Sequence, residues 1–333
     1  MPVPAHGRPA NRYSLVADIG GTNTRVALAE GHRLLPDTVR RFRNADYPGL
    51  ESVLTAFLAD EGGVDCKGAC VAVAGPVHDG RATMTNLDWT IDAAGVARAT
   101  RAETVAVLND LQAQGHALGR IDAANLRPVM AGSAAGPDAA QLVIGVGTGF
   151  NIAPVYHVDG HRFVAAAEAG HANMPIRTPA DFDLCTFVET AHGVPGIEDV
   201  LSGRGLERIY AWLGERLGAP GELHAADIMA ACEAGTDPRA AEAVATFVRI
   251  LGTVAGNLAL TLLPFGGVFL AGGVARAIAP HLGPHGFEAA FRDKGRFAGF
   301  MQNFSVWVVE DDFAALTGSA AYLDQIAAKI RPA

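Results

Sequence analysis

The sequence predicts an α/β fold in two domains, each carrying a strand–turn–strand hairpin. Three observations carry this. Strand-like and helix-like stretches alternate along the chain, the pattern of α/β proteins. Two separate segments, residues 14–29 and 141–153, share one design: an apolar run, a turn of glycine and small polar residues, and a second apolar run. The chain has 333 residues, half of them hydrophobic and only 18% charged, enough for two sizeable cores and the opposite of a disordered composition.

The first hairpin sets the theme. Leu15 to Ala17 is apolar and ends at Asp18; Gly20-Gly21-Thr22-Asn23-Thr24 is polar; Val26 to Ala29 is apolar again. Glycines in such a turn tolerate positive φ and let a ligand approach the backbone N–H groups, and the Thr and Asn side chains add donors. Such a turn can hold phosphates. Asp18, at the strand end, is placed to hold Mg²⁺ through water. An ordinary polar hairpin with an Asp at its shoulder satisfies the same pattern.

Asn44 to Leu58 reads as a helix, Cys70 to Ala74 as a short buried strand ended by Gly75-Pro76, and Met84 to Trp89 as a polar loop. Thr104 to Leu108 is the next strand, Asn109-Asp110 follows, and Leu111 to Leu118 is helical. An Asn-Asp pair at this junction can simply cap the helix. It also lies at the carboxyl end of a strand, where open α/β sheets bind ligands, so Asp110 can serve as a general base and Asn109 as a ligand.

A domain crossover falls near residues 115–140, where the chain becomes small and polar. The second hairpin, Val146-Gly147-Thr148-Gly149-Phe150-Asn151 at its turn, has Phe150 where a dinucleotide motif needs its last Gly, and it lacks the Lys-Ser/Thr of a P-loop. Two phosphate-type hairpins in one chain suggest a duplicated fold that grips a nucleotide. Glu168-Ala169-Gly170-His171 has the Glu-x-x-His spacing of half a metal site; a structural His is the other reading. Glu198 taken alone reads as a solvated acid at a helix end.

Residues 207–260 are Ala-rich and helical in pattern. Between Arg249 and Arg276 no residue is charged, a length that could cross a bilayer, yet Asn257 and Pro264-Phe265-Gly266-Gly267 interrupt it. The expected structure is a buried helix to about Leu263, a turn, and a buried strand Val268–Ala271. Thr317-Gly318-Ser319 opens a last helix ending near Ile330.

The net charge of −9 without a basic stripe argues against a nucleic-acid partner. Four scattered cysteines, Cys66, Cys70, Cys185 and Cys232, do not make a zinc knot by spacing. Met1 to Arg12 has prolines and no apolar core, so it reads as a frayed tail and not a signal peptide. A cytoplasmic location is expected, with no membrane contact.

Several of these stretches together resemble the bacterial glucokinase family of the actin/Hsp70/hexokinase superfamily, from about Tyr13 to the C-terminus. Asp18-Ile19-Gly20-Gly21-Thr22-Asn23-Thr24-Arg25 is similar to its first phosphate motif, Met84-Thr85-Asn86-Leu87-Asp88-Trp89 to a family loop, and Leu108-Asn109-Asp110-Leu111-Gln112-Ala113 to the stretch with its catalytic Asp. Gly147-Thr148-Gly149 is similar to the second phosphate motif, and Glu168 to His171 to Glu-Gly-Gly-His. Glu198 to Leu206 is similar to Glu-x-Val-Leu-Ser-Gly-x-Gly-Leu, Val268 to Val274 to the adenosine motif, and Phe291 to Phe297 to a segment of no derivable role, by default a solvated basic loop.

The resemblance implies a two-domain actin/Hsp70/hexokinase-like (ribonuclease H-like) α/β fold with a central cleft. The small domain would be 13–120 plus 315–333, onto which the last helix packs, and the large domain 121–314. It implies transfer of phosphate from ATP, with Mg²⁺, to the 6-hydroxyl of glucose. Asp110 would be the base; Asn109, Asp110, Glu168, His171 and Glu198 would bind the sugar. Asp18, Gly20, Gly21, Thr22, Asn23, Gly147, Thr148, Gly149, Gly272 and Gly273 would bind ATP and phosphate. A homodimer is implied as well. Another hexose kinase, for mannose, fructose or N-acetylglucosamine, is the nearest alternative. A sugar-responsive repressor would need a DNA-binding segment ahead of Tyr13, and a chaperone-type ATPase would need no Glu/His cluster. This chain departs from the family at Asn151 and Ala169, where Gly is usual. Family members with a structural zinc carry a Cys-rich loop after the His; only Cys185 is present here, so no structural zinc is expected.

Overall fold

The structure, a computed structural model, describes residues 11–84 and 87–330. Thr85 and Asn86 of the polar loop, and most of the tail read for Met1 to Arg12, lie outside them. The chain divides into two compact units: one takes the chain up to Ile121, His161–Val164 and everything from Asp311 on, the other Asp122–Gly160 and Ala165–Glu310.

In the first unit, β1 (Tyr13–Ile19) and β2 (Asn23–Glu30) form the antiparallel hairpin, with Asp18 opposite Arg25 and Ile19 opposite Thr24. β3 (Arg33–Leu34) and β4 (Arg40–Arg43) both pair with β2. β5 (Cys66–Val73) and β9 (Thr104–Asn109) extend the sheet in parallel on the other side of β1. β6 (Val77–His78), β7 (Arg81–Thr83) and β8 (Thr90–Asp92) make a small separate sheet. β1 and β5 are buried on both faces, as their continuous apolar runs require. On one face pack α1 (Leu50–Asp60) and α2 (Ala93–Thr100), around Leu54, Phe57 and Val96; on the other lie α3 (Asp110–Ala117) and α10 (Ala314–Ile330), around Val16, Cys70 and Leu316. Burial pushes the Cys66 and Cys70 thiols up to about 12, so neither is a nucleophile at neutral pH.

The helix expected over residues 44–58 is two pieces. Asn44–Asp46 is a 3₁₀ turn and α1 starts only at Leu50, because Pro48 and Gly49 stand between them and Asn44 is held by the hairpin. The last helix starts at Ala314, a turn earlier than Thr317-Gly318-Ser319 suggested.

β13 (His161–Val164) caps α3. The Arg162 guanidinium donates to the carbonyls of Gly115, His116 and Leu118, the unsatisfied end of that helix. His116 is 5% exposed with its ring 4.7 Å from that of Tyr322, and burial, helped by the Arg162 charge, lowers its pKa to about 4. An unfolded His titrates near ~6.5. The unfolded chain therefore binds the proton more readily; stability is intact above about pH 6.5 and is lost as the pH falls toward about 4, by roughly 3 kcal/mol from this group. His116→Gln should flatten the urea-unfolding free energy across that window. An unchanged slope would mean His116 is not the group that titrates.

In the second unit, the strand order is β10 (Leu126–Met130), β15 (Val306–Val309), β14 (Val268–Ala271), β11 (Gln141–Val146), β12 (Phe150–Val158). β11 and β12 are antiparallel, β11, β14 and β15 parallel, so this hairpin too feeds a parallel core. Around it lie α4 (Pro179–His192), α5 (Gly203–Arg216), α6 (Ala225–Ala234), α7 (Pro238–Leu262), α8 (Gly273–Leu282) and α9 (Phe287–Arg292). Among the described residues, α7 is the one helix long and apolar enough to span a membrane; 72% of its most apolar stretch is buried in this unit, packed by Phe247, Leu251 and Val254. The segment Phe291 to Phe297 is a solvated loop only in part: Asp293 and Gly295 to Phe297 are exposed, but Phe291 is fully buried, Lys294 Nζ donates to the Thr253 carbonyl at 3.2 Å, and Asp293 pairs with Arg177 at 2.6 Å.

Candidate active site

In the first unit the hairpin turn is braced from below. The Gly20 N–H donates to the Asn23 carbonyl at 3.0 Å. Asn44, 2% exposed, donates from Nδ2 to the Gly20 carbonyl, accepts from the Thr24 hydroxyl at Oδ1, both at 2.8 Å, and donates its own N–H to the Thr22 carbonyl at 2.9 Å. A buried amide with its valences met in this way fixes the turn's shape. Neither turn draws on the positive φ that glycine tolerates: Gly20, Gly21, Gly147 and Gly149 all lie outside the left-handed region. Asp18 is half-buried, with an oxygen 3.6 Å from the Arg25 guanidinium; burial pushes its carboxyl up, and Arg25 pulls it back toward the ionised form. A lone carboxylate beside a turn suits Mg²⁺, which takes one or two carboxylates and fills its octahedron with phosphate and water.

Asn109 and Asp110 divide the helix-start work unequally. Asn109 is the N-cap of α3: its Oδ1 accepts from the Leu111 N–H at 3.0 Å, and Gln112 Oε1 accepts from the Asn109 N–H at 3.2 Å. Its Nδ2 donates to the Gly75 carbonyl at 2.9 Å, which ties the end of β9 to the loop after β5. Asp110 is the first helical residue, half-buried, with Oδ1 accepting from the Leu111 N–H at 2.9 Å. Both the capping reading of the pair and the position at a strand's carboxyl end therefore hold together.

In the second unit two clusters meet on the β11–β12 turn. On one side, Ser202 caps α5 through the Gly205 N–H, the Gly203 N–H donates to the Gly147 carbonyl at 2.9 Å, and Gly272, with φ +104°, begins α8. A Cβ at Gly272 would lie 2.5 Å from the Val146 carbonyl oxygen, so only glycine fits. Two helix N-termini thus bear on Val146-Gly147, an arrangement whose dipoles favour an anion. Thr148 is exposed at the turn's tip and Gly273 is exposed in the first turn of α8.

On the other side, Glu198 Oε2 accepts from the Phe150 N–H at 2.9 Å, and a Cβ on Gly149 would overlap that carboxylate. Glu198 is not the solvated acid of the alternative reading. Its N–H donates to the Gly170 carbonyl at 2.9 Å, and Gly170 itself lies flat on the Phe150 carbonyl, with no room for a Cβ. Glu168 and His171 flank Gly170 in a 3₁₀ turn, Ala169–His171, and both are exposed. Glu168, His171 and Glu198 are thus gathered on one turn. Ala169, where Gly was expected, has φ outside the left-handed region, so its methyl costs no backbone strain.

Asn151, the other departure, is the hub of this side. Its Nδ2 donates to the Ala167 carbonyl at 2.5 Å and to Glu168 Oε2 at 3.2 Å, while its Oδ1 accepts from the N–H groups of Ile152 at 2.8 Å and Ala169 at 3.0 Å. Sequence reasoning assigned no role to Asn44, Asn151 or Gly203. Asn44 stands in a separate segment; Asn151 was visible only as a departure; Gly203 was noted only within a motif.

The sequence profile of the Glucokinase family matches residues 15–326. Glucokinase of Mesorhizobium japonicum is 34% identical over 309 residues, 92% of this chain and 90% of that protein. Glucokinase of Erwinia tasmaniensis is 32% identical, over 96% of this chain and 99% of that protein. Among solved structures, a glucokinase from an Antarctic psychrotroph superposes with a TM-score of 0.83 at 29% identity, covering 94% of this chain and 98% of that one. A Balamuthia mandrillaris glucokinase solved with glucose shares the fold at a TM-score of 0.78 and 23% identity, covering 94% and 93%. With most of its length matched at this level, the chain belongs to the glucokinase family.

Proposed function

We propose that this chain transfers the γ-phosphoryl group of ATP to the 6-hydroxyl of D-glucose. The observation that carries the reading is the β11–β12 turn, which bears two helix N-termini on one side and the Glu168, His171 and Glu198 cluster on the other. Carboxylates and an imidazole suit sugar hydroxyls, which both donate and accept; converging N–H groups suit phosphates.

In this reading the sugar is held by Asn109, Asp110, Glu168, His171 and Glu198. Asp110 accepts the 6-hydroxyl proton as that oxygen bonds to the γ-phosphorus; the bond to the β–γ bridging oxygen breaks and ADP leaves. The first turn, Gly20 to Asn23, and the second, Gly147 to Gly149, position phosphates through backbone N–H groups, and Gly272-Gly273 gives the adenosine a side-chain-free surface. Asp18 would hold Mg²⁺, which supplies neutralising charge for the polyphosphate. Catalysis is then mainly positioning and charge stabilisation. The reading extends to a small domain carrying the base and first hairpin, a large one carrying the rest, and a cytoplasmic homodimer in glycolysis.

The test is ATP consumption against a panel of hexoses. Glucose should give the highest kcat/KM. If mannose, fructose or N-acetylglucosamine exceeds it, the chemistry stands and the substrate assignment falls; if no hexose stimulates ADP release, the reading falls entirely.

Asn151→Gly removes the donor to Glu168 and the anchors of its loop. A hydrogen bond to a charged group is worth roughly 1.5–3 kcal/mol. The expected result is a KM for glucose raised about tenfold or more, with KM for ATP within twofold and kcat changed little. An unchanged glucose KM would mean Glu168 does not depend on Asn151.

A further inference from the structure

Outside the clusters described above, one group of side chains in the second unit has the donors of a transition-metal site. Cys232 lies in the last turn of α6, His281 in the last turn of α8, and His285 one turn further on, where its N–H still donates to the His281 carbonyl at 3.1 Å. One sulfur and two ring nitrogens lie within 4.8 Å of one another, and Cys232 Sγ is 3.9 Å from His281 Nδ1. In a tetrahedral zinc site, bonds of about 2.0–2.3 Å put neighbouring ligand atoms roughly 3.5 Å apart. Closing these three onto one ion takes shifts of about an ångström or less, within the reach of side-chain torsions.

A second observation concerns the other face of the His281 ring. The residue's side chain is 12% exposed, and its Nε2 is buried with no hydrogen-bond partner among the described residues; Glu233 Oε1, on an exposed side chain, is 3.8 Å away. A proton on Nε2, facing Glu233, leaves the Nδ1 lone pair directed at Cys232. Metal-bound histidines are held in this way, one nitrogen on the metal and the other N–H on a carboxylate. The His281 and His285 rings are stacked, 5.7 Å apart and 18° from parallel, so one helical face presents both imidazoles.

We propose that Cys232, His281 and His285 form a binding site for a borderline-soft divalent cation, zinc above all, that ties the C-terminal ends of α6 and α8 together. The Cys232 thiol releases its proton to solvent as the sulfur–metal bond forms, the imidazoles give their lone pairs, and water completes the tetrahedron. The site is separate from the Glu168–His171 pair and from any Cys-rich loop after it. α8 would then carry the glycines proposed for adenosine at its start and the metal at its end. Spacing could not reveal it, because 49 residues separate Cys232 from His281.

The experiment uses the full chain, stripped with EDTA and loaded with zinc or cobalt chloride. Near-stoichiometric zinc should survive gel filtration, Tm should rise with zinc concentration, and cobalt should give a thiolate charge-transfer band. Cys232→Ser should abolish the band and the retained zinc; His285→Gln, a second variant should the first misfold, should lower retention at least tenfold. Cys185→Ser should change neither. No retained zinc in the unaltered chain, or equal retention in the Cys232 and His285 variants, would overturn the assignment, whatever the kinase assay gives.

Discussion

Asp110→Asn is expected to lower kcat by about 10²–10⁴-fold, the usual contribution of a general base, while KM for glucose moves much less. The substitution keeps the shape and removes the basicity. It leaves the helix intact because Asn109 is the N-cap and Gln112 completes the capping box, so α3 does not depend on the Asp110 carboxylate for its first turn. The side chain's bond to the Leu111 N–H can be kept by the Asn amide oxygen. Steady-state kinetics with matched circular dichroism is the check. A variant with wild-type kcat would reduce Asp110 to a helix-start acid, stabilised by the dipole and nothing more.

Gly318→Ala is expected to be the most destabilising single methyl in the first unit. Gly318 sits inside α10, where helix propensity alone favours Ala by up to about 1 kcal/mol. Yet a Cβ there would overlap the Ala113 carbonyl oxygen and lie 2.6 Å from the Ala113 carbon and 3.0 Å from the Ala117 nitrogen of α3. Those are backbone atoms inside a helix and cannot swing aside, so α3 and α10 must separate. Overpacking of this kind costs about 1–3 kcal/mol and occasionally more; because backbone meets backbone, the upper end is expected. Guanidinium unfolding should show the midpoint fall, with Gly136→Ala, whose Cβ would meet nothing within 4 Å, as control. A midpoint unchanged in Gly318→Ala would mean the two helices do not approach this closely. Since α3 begins at Asp110, the variant should lose activity along with stability.

Much of the fold was legible because its signals are local. Apolar runs ended by Gly-rich turns gave both hairpins, and Pro264 to Gly267 correctly divided α7 from β14. Asn109 was legible as a cap from its place between strand and helix. What failed was what tertiary contact decides. Asn44 looked like the start of a helix, and the hairpin it braces is twenty residues away in sequence. The glycines of the first turn were read for their tolerance of positive φ; Gly149, in the second, is glycine because the Glu198 carboxylate fills the space, a contact across 49 residues. The motif around Phe291 to Phe297 showed charges but not their partners Arg177 and Thr253, which come from other elements. Glu198 was legible only as a motif match; its bond to the Phe150 N–H supplies a physical reason for an acid there.

The central claim is tested most directly by the product itself. Incubating the purified chain with ATP, Mg²⁺ and glucose, and following both substrates by phosphorus and carbon NMR, should show one glucose 6-phosphate formed per ADP, with 6-deoxyglucose giving neither. ADP released without a sugar phosphate, or at an equal rate with 6-deoxyglucose, would contradict the account.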